Sequence, residues 1–350
     1  MHYQETFNFI MEHHEAFHYE ELSTAAYRRI GAGFCGSVWT SSPNRVISSG
    51  AEQGTTGRKP TAIKREDGGP GRSLLNDYQI HQTLLDSYTI CPSQLKTFLI
   101  PECYDFVKES YKGWETTNIH ARFPQGYSAC NILITQRIPP FPQHARNTII
   151  EKYCPSSLIR NIKADTNNDD CLIRPYLGRR KWGQQASRIR VFSLRNYPLH
   201  INQIEELGLD PFAYSKVMAQ ALAFMYWLAK VDANDVEFIL APATDAPQFK
   251  SQALGNHNMW ILDFDCCRRI TMDRSGVEQA AKAFLRNDPF YPHPSRGRKE
   301  EDRILWQHFK AAFLESSLMI IRQAASEVPE DLPQLLIDTI ESIARPHAAV

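Results

Sequence analysis

Phe7, Ile10, Met11, Phe17 and Leu22 recur at roughly helical spacing and predict a helix over residues 6–29. At Ile30 the texture changes to glycine, serine and β-branched residues, the pattern of a strand, a turn and a strand. Residues 50–60 read as a loop and Thr61-Ala-Ile-Lys-Arg65 as a short strand. After a second glycine-rich loop over 65–72, the run from Ser73 to Leu85 is amphipathic and helical. Residues 131–138 read as a strand, stopped by Pro139 and Pro140. The stretch 141–170 is irregular and polar, and order resumes over 171–180. Residues 211–230 form the strongest helix of the chain, apolar on nearly every side and therefore buried. A loop with short strands fills 231–265. The remainder is mostly helical, with Ile304, Leu305, Phe309, Phe313 and Leu314 marking a helix over 302–323.

A β-rich first part holding one helix, then a helix-rich second part, predicts an α+β fold with a bilobal protein-kinase-like outline. The expected division is an N-terminal lobe over 1–140, carrying a glycine-rich loop, and a mainly helical C-terminal lobe over 141–350, carrying an acidic site. A length of 350 residues suits two such lobes, and 43% hydrophobic residues supply their cores. No apolar run approaches the ~18 residues of a membrane helix, and the acidic, His-rich N-terminus shows no secretory h-region. The expectation is a cytoplasmic protein with no membrane partner. Lys+Arg and Asp+Glu number 39 each, so the net charge is zero. That balance argues against DNA and against bulk nucleic-acid binding, while leaving room for one local basic surface. Eight cysteines are scattered without a C-x-x-C pair, and the adjacent Cys266 and Cys267 make poor co-ligands. Neither a metal centre nor a disulfide framework is expected.

Candidate chemistry begins at Gly31-Ala-Gly33-Phe-Cys-Gly36-Ser-Val38, which fits G-x-G-x-x-G-x-V. Glycines there let a hairpin backbone approach phosphate oxygens, although a lone match is equally an ordinary Gly-rich hairpin. The next strand carries Lys64, placed where a kinase-like protein puts the lysine that reaches nucleotide phosphates. Asp77, on the following helix, supplies a carboxylate to pair with it in place of the usual Glu. Further on, Asp232-Ala-Asn-Asp235-Val-Glu237 has catalytic-loop spacing, with Glu237 where kinases place a metal-binding Asn. Trp260-Ile-Leu-Asp263-Phe264-Asp265 reads as a strand leading into an Asp-Phe turn, with Asp265 replacing Gly. Each acid alone would be solvated surface. Four elements in this order point instead to one cleft in which the carboxylates at 232, 237 and 263 converge, suited to Mg²⁺ or a cationic substrate group. The departures are specific. Lys230-Val231 stands before Asp232 instead of His-Arg, and no Ala-Pro-Glu follows Asp263.

Five segments carry a wider resemblance: 134–140 (ITQRIPP), 171–180 (CLIRPYLGRR), 193–199 (SLRNYPL), 232–238 (DANDVEF) and 287–292 (NDPFYP). They resemble a fungal family catalogued as a domain of unknown function in hypothetical zinc-finger proteins. The resemblance spans roughly residues 25–325, and Asp-Val-Glu-Phe and Asp-Pro-Phe-Tyr-Pro are its most specific blocks. Members look like arginine-containing cyclodipeptide synthases, which join arginyl-tRNA to a second aminoacyl-tRNA and release a cyclo-arginyl dipeptide. The resemblance implies catalytic roles for Asp232, Asp235 and Glu237, with no cofactor required.

The residue reading is compatible. Aminoacyl esters are already activated, so the enzyme needs only to deprotonate an α-amine, align two esters and stabilise an oxyanion. Substrate binding would draw on Gly31, Gly33, Gly36, Lys64, Asp77 and Asp263, with Arg179 and Arg180 toward RNA. Those two arginines belong to a basic stretch, Arg174, Arg179, Arg180, Lys181, Arg188, Arg190 and Arg195, interleaved with Tyr176, Trp182, Phe192 and Tyr197. Such a stretch fits either an RNA backbone with stacked bases or a solvated basic face. Ser37 and Ser193 are conceivable acyl acceptors, with no adjacent base readable. Two other readings compete with the synthase. One is a small-molecule kinase using Mg²⁺ and ATP; the other is a catalytically dead kinase-like module that binds a partner.

Overall fold

The computed structural model describes residues 25–41, 60–116, 119–181, 192–295 and 299–345. By packing, the chain forms two units: residues 1–78 with 101–138, and residues 79–100 with 139–350.

The first unit is built on a five-stranded antiparallel sheet, ordered β1-β2-β3-β5-β4. The strands are β1 (Tyr27–Ala32), β2 (Ser37–Ser41), β3 (Thr61–Arg65), β4 (Cys103–Val107) and β5 (Ile132–Gln136). Most of the helix expected over 6–29 lies outside the described residues. Its last three positions are not helical, because Tyr27 to Arg29 pair in register with Ser41 to Trp39. Pairing decides the matter there: Tyr27 is buried in the same cluster as Trp39, Phe123 and Ile134. In β5 the strand alternation sorts an uninterrupted apolar run onto two faces. Ile132 and Ile134 join that cluster, whereas Leu133 packs with Cys35, Leu74 and Phe106. Helix α1 (Leu74–Thr89) starts in this unit, after β3.

The second unit is mainly helical. Its central element is α3 (Pro211–Ala223), which follows α2 (Gln143–Tyr153) in the chain. Asp210 caps α3 by accepting from the Phe212 and Ala213 amides, and Pro211 occupies the first turn, where no backbone donor is needed. The predicted helix over 211–230 does not stay α-helical throughout. A π-helical turn, Phe224–Leu228, ends it, and Lys230 takes a positive φ of 56°. From Tyr214 to Trp227 every residue but the exposed Lys216 is buried, and the helix is apolar on nearly every other side, as the sequence pattern demands of a central helix. Helix α5 (Glu300–Ala324) packs along it, and α6 (Leu332–Ala344) packs on both α4 (Arg274–Arg286) and α5. The Trp227 indole donates to Ser317 on α5 at 2.8 Å.

This unit also carries its own five-stranded sheet, ordered β7-β6-β8-β10-β9. Its strands are β6 (Ile173–Tyr176), β7 (Tyr197–His200), β8 (Glu237–Pro242), β9 (Phe249–Ser251) and β10 (Gly255–Leu262). The short strands expected within 231–265 are therefore the middle and one edge of a sheet. Taken unit by unit, the chain has the expected kinase-like α+β order: an antiparallel sheet with a helix after its third strand, then a mainly helical part. Among the described residues, no helix is long and apolar enough to cross a membrane.

Candidate functional site

In the first unit, β1 and β2 are joined by the glycine-rich turn, closed by a hydrogen bond from the Gly33 amide to the Gly36 carbonyl at 2.8 Å. Only one of its three candidate glycines is demanded by close approach. Gly36 has φ +152°, and a Cβ there would lie 2.0 Å from the Arg65 carbonyl oxygen and 2.6 Å from an Asp67 carboxylate oxygen. A Cβ at Gly33 would meet nothing within 4 Å. What Gly36 makes room for is therefore the chain itself. The loop after β3 docks on the turn, with Gly68 donating to the Cys35 carbonyl at 3.1 Å and Gly69 to that of Phe34 at 2.9 Å. Asp67 enters the turn as well, accepting from the Ser37 amide at 2.7 Å and from the Ser37 hydroxyl at 2.7 and 2.9 Å.

Behind Asp67 stands Arg65, almost fully buried, whose Nε donates to the Asp67 carboxylate at 3.0 Å. The other end of that guanidinium donates to the Ser128 carbonyl, and its plane lies over Phe123. Burial opposes ionisation of Asp67. The hydrogen bonds from Ser37 and Arg65 outweigh it and hold the carboxyl below its ordinary value. Lys64, one residue before Arg65 on β3, meets Asp77 on α1 at 2.6 Å, with the Asp77 side chain almost fully buried. The pair expected from sequence is thus formed.

In the second unit the acidic residues separate by role. Asp232 is buried and turned inward: it accepts from the Asn234 and Arg268 amides at 3.1 and 2.9 Å and from the Gln279 side chain at 2.9 Å. It fixes the loop rather than lining a surface. Backbone bonds from Asp232 to Arg268 and from Ile270 to Lys230 complete the join between this loop and the segment after β10. Asn287, which precedes a cis Asp288–Pro289 bond, donates to the Val236 carbonyl at 2.8 Å and to the Tyr291 hydroxyl at 2.9 Å. Asn287 thereby ties the acidic loop to Tyr291 of the Asp-Pro-Phe-Tyr block.

Glu237 opens β8 opposite Leu262, so Asp263 follows directly on the neighbouring strand. Asp263 and Asp235 both carry positive φ, 68° and 63°, a backbone state that aspartate, like asparagine, adopts more readily than most side-chain-bearing residues. Glu237 is engaged by Arg174 of β6, whose Nη2 donates to both carboxylate oxygens at 2.5 and 2.6 Å. The expected convergence of residues 232, 237 and 263 is accordingly not the arrangement observed. Among the described residues, the potential ligand atoms that approach within 4.8 Å of one another belong to Asp235, Asp265 and Cys266. Asp232 is committed to backbone amides and Glu237 to a guanidinium. Asp235 is exposed and Asp265 buried, so this group joins a solvent-facing carboxylate to an inner one.

Three described arginines of the basic stretch, Arg174, Arg179 and Arg180, are engaged by carboxylates, and Arg195 binds Asn167. Arg180, its side chain only 4% exposed, donates to Glu205 at 2.7 and 2.8 Å and to Asp302 at 2.6 to 3.1 Å. That geometry removes it from an RNA-facing role. Arg179 is half exposed and reaches Asp288 at 2.8 Å. Trp182, Arg188 and Arg190 lie outside the described residues. Sequence spacing could flag Asp265 as the replacement of a glycine. It gave no signal for Asp67, which meets Ser37 across 30 residues of chain.

A family model described as DUF3669, zinc finger protein, matches residues 259–325. A zinc-finger centre takes four thiolate or imidazole ligands. All eight cysteines are free, and no such set occurs among the described residues. No curated protein matches. Among solved structures, the kinase domain of maize sucrose-induced receptor kinase 1, crystallised with AMP-PNP, is similar at 10% identity and a TM-score of 0.31, over 92% of this chain and 86% of that one.

Proposed function

We propose that the chain is an aminoacyl-tRNA-dependent cyclodipeptide synthase that takes arginyl-tRNA as one substrate. The observation that carries this reading is the acidic end of the second sheet. There Asp235 and Asp265 approach each other, Asp263 follows Leu262, the register partner of Glu237, and Glu237 already holds a guanidinium. Carboxylates in this density select a guanidinium or an ammonium group. The family model matching residues 259–325 carries the zinc-finger description under which the resembling fungal family was catalogued, which supports the same reading.

In the reaction, the α-amine of one aminoacyl ester attacks the carbonyl carbon of the other, and the terminal ribose hydroxyl of that tRNA leaves. The free amine of the dipeptidyl ester then attacks its own ester carbonyl, closes the six-membered ring and frees the second tRNA. Each step moves one proton from amine to departing oxygen, and no phosphoanhydride is consumed. In this reading Asp235, the exposed acid of the loop, accepts that proton.

The test is mass spectrometry of the reconstituted reaction with arginyl-tRNA and mixed aminoacyl-tRNAs. A cyclo-arginyl dipeptide that disappears on RNase treatment is expected. The Asp235→Asn variant should fold normally and lose at least ~100-fold in rate, the lower range for a missing proton acceptor. Absence of the dipeptide with folded wild-type protein, or full turnover by the variant, overturns the proposal.

A second reading, a kinase-like phosphotransferase acting on a small molecule, is favoured by the fold order and by the Lys64–Asp77 pair at 2.6 Å. It would show as ATP-dependent phosphate transfer that fails in Lys64→Met. Of the two readings, the fold-level features favour this one and the charge pattern of the site favours the first.

A further inference from the structure

We propose that Asp67 sets the ligand charge of the glycine-rich turn, excluding phosphoanions and leaving it to neutral or cationic groups. A turn of this spacing serves phosphates when its amides point at the ligand and no negative charge stands near them. Here the Ser37 amide and hydroxyl are both directed at the Asp67 carboxylate, at 2.7 to 2.9 Å. That carboxylate is not a stray surface acid. It is fixed from behind by the buried Arg65 at 3.0 Å. The loop bearing it is tied to the turn by the Gly68 and Gly69 amides. The glycines themselves are accounted for by this docking. A Cβ at Gly68 would lie 2.2 Å from the Phe34 carbonyl oxygen, and one at Gly36 would collide with Arg65 and Asp67. The turn therefore holds its own anion, and a di- or triphosphate brought to it would meet a like charge in direct contact with Ser37. The residues present do not fit the polyphosphate of ATP at this turn. The inference does not rest on the cyclodipeptide reading, since it concerns the first unit alone.

The experiment titrates wild type, Asp67→Asn and Asp67→Ser with inorganic tripolyphosphate and with ATP, without Mg²⁺, following melting temperature and the amide resonances of Gly33 to Ser37. Asp67→Asn keeps the size and an acceptor oxygen, and Asp67→Ser keeps a small acceptor near the Ser37 amide. In both, Arg65 retains its bond to Ser128 and its place over Phe123, so the hairpin keeps its backing. Wild type is expected to show no shift at those amides at millimolar tripolyphosphate. A folded variant is expected to bind at least ~10-fold more tightly, with shifts confined to the turn. Tripolyphosphate shifts at the turn of wild type overturn the proposal. So does a folded variant that gains nothing, because the turn would then owe its indifference to something other than Asp67. Neither result bears on dipeptide formation, which is read separately by product mass.

Discussion

Arg65 and Asp67 sit two residues apart, yet one is buried at 1% exposure and the other reaches solvent at its edge. The Asp67 carboxylate takes the Nε of this buried guanidinium, the Ser128 carbonyl takes Nη2 and the Phe123 ring lies against its face, while Nη1 is buried without a hydrogen-bond partner. The pair makes the turn acid-sensitive in a defined direction. The Asp67 carboxyl is held below its ordinary 3.8 by the Ser37 and Arg65 contacts, against the opposing effect of burial. A depressed carboxyl stabilises the fold fully above its unfolded value and loses that contribution as pH falls through the folded one. Wild type should therefore exceed Asp67→Asn in urea midpoint by a constant margin above about pH 4–5, and the margin should shrink below about pH 3.8. Paired urea titrations across that range check it; a margin that widens on acidification means the carboxyl is raised in the fold, not lowered.

Strand and helix periodicity gave most elements, and it failed where pairing or burial chose between equally good local patterns. The apolar spacing into residue 29 is helical, but Tyr27 to Arg29 are drawn into β1 by the β2 partner strand. Residues 171–180 carry the Leu-Ile-Arg-Pro-Tyr run, whose parallel pairing with 197–200 leaves no mark in periodicity because parallel partners are joined by a long connection. The candidate site was legible in the same measure. The Lys64–Asp77 pair follows from strand and helix spacing, whereas the inward turn of Asp232 depends on amides at Arg268, 36 residues away. Asn287 shows how one element secures another. It is buried at 6% and holds both the Val236 carbonyl and the Tyr291 hydroxyl, itself a phenol pushed well up by burial. Asn287→Ala strands two buried polar groups and should cost roughly 2–4 kcal/mol in urea unfolding. It should also speed amide exchange over residues 232–237. Unchanged exchange there would mean the loop is held from the β10 side alone.

Across the whole chain, acids and bases balance at 39 each, and among the described residues three arginines of a stretch that looks basic in one dimension are paired with acids in three. Arg174 goes to Glu237, Arg179 to Asp288, and Arg180 to Glu205 and Asp302, partners that lie 25 to 122 residues away. No window on the sequence contains both halves of these pairs, which is why residues 174–195 read as one RNA-facing surface. The two neighbouring arginines now part company. Arg179 is 54% exposed and able to leave a carboxylate for a phosphate, whereas Arg180 is 4% exposed between two acids. Arg180→Ala leaves Asp302 and Glu205 without their shared cation and should cost about 3 kcal/mol of stability. Where the variant still folds, its RNA affinity should keep the wild-type salt dependence. Arg179→Ala should melt close to wild type, and the slope of log affinity against log salt should fall by about 0.7, the value for one phosphate of a single strand. Binding to an uncharged tRNA at a series of salt concentrations, beside urea curves for both variants, separates the two effects. If Arg180→Ala lowers the slope without loss of stability, its guanidinium leaves the two acids to reach RNA, and the internal network is the weaker partner.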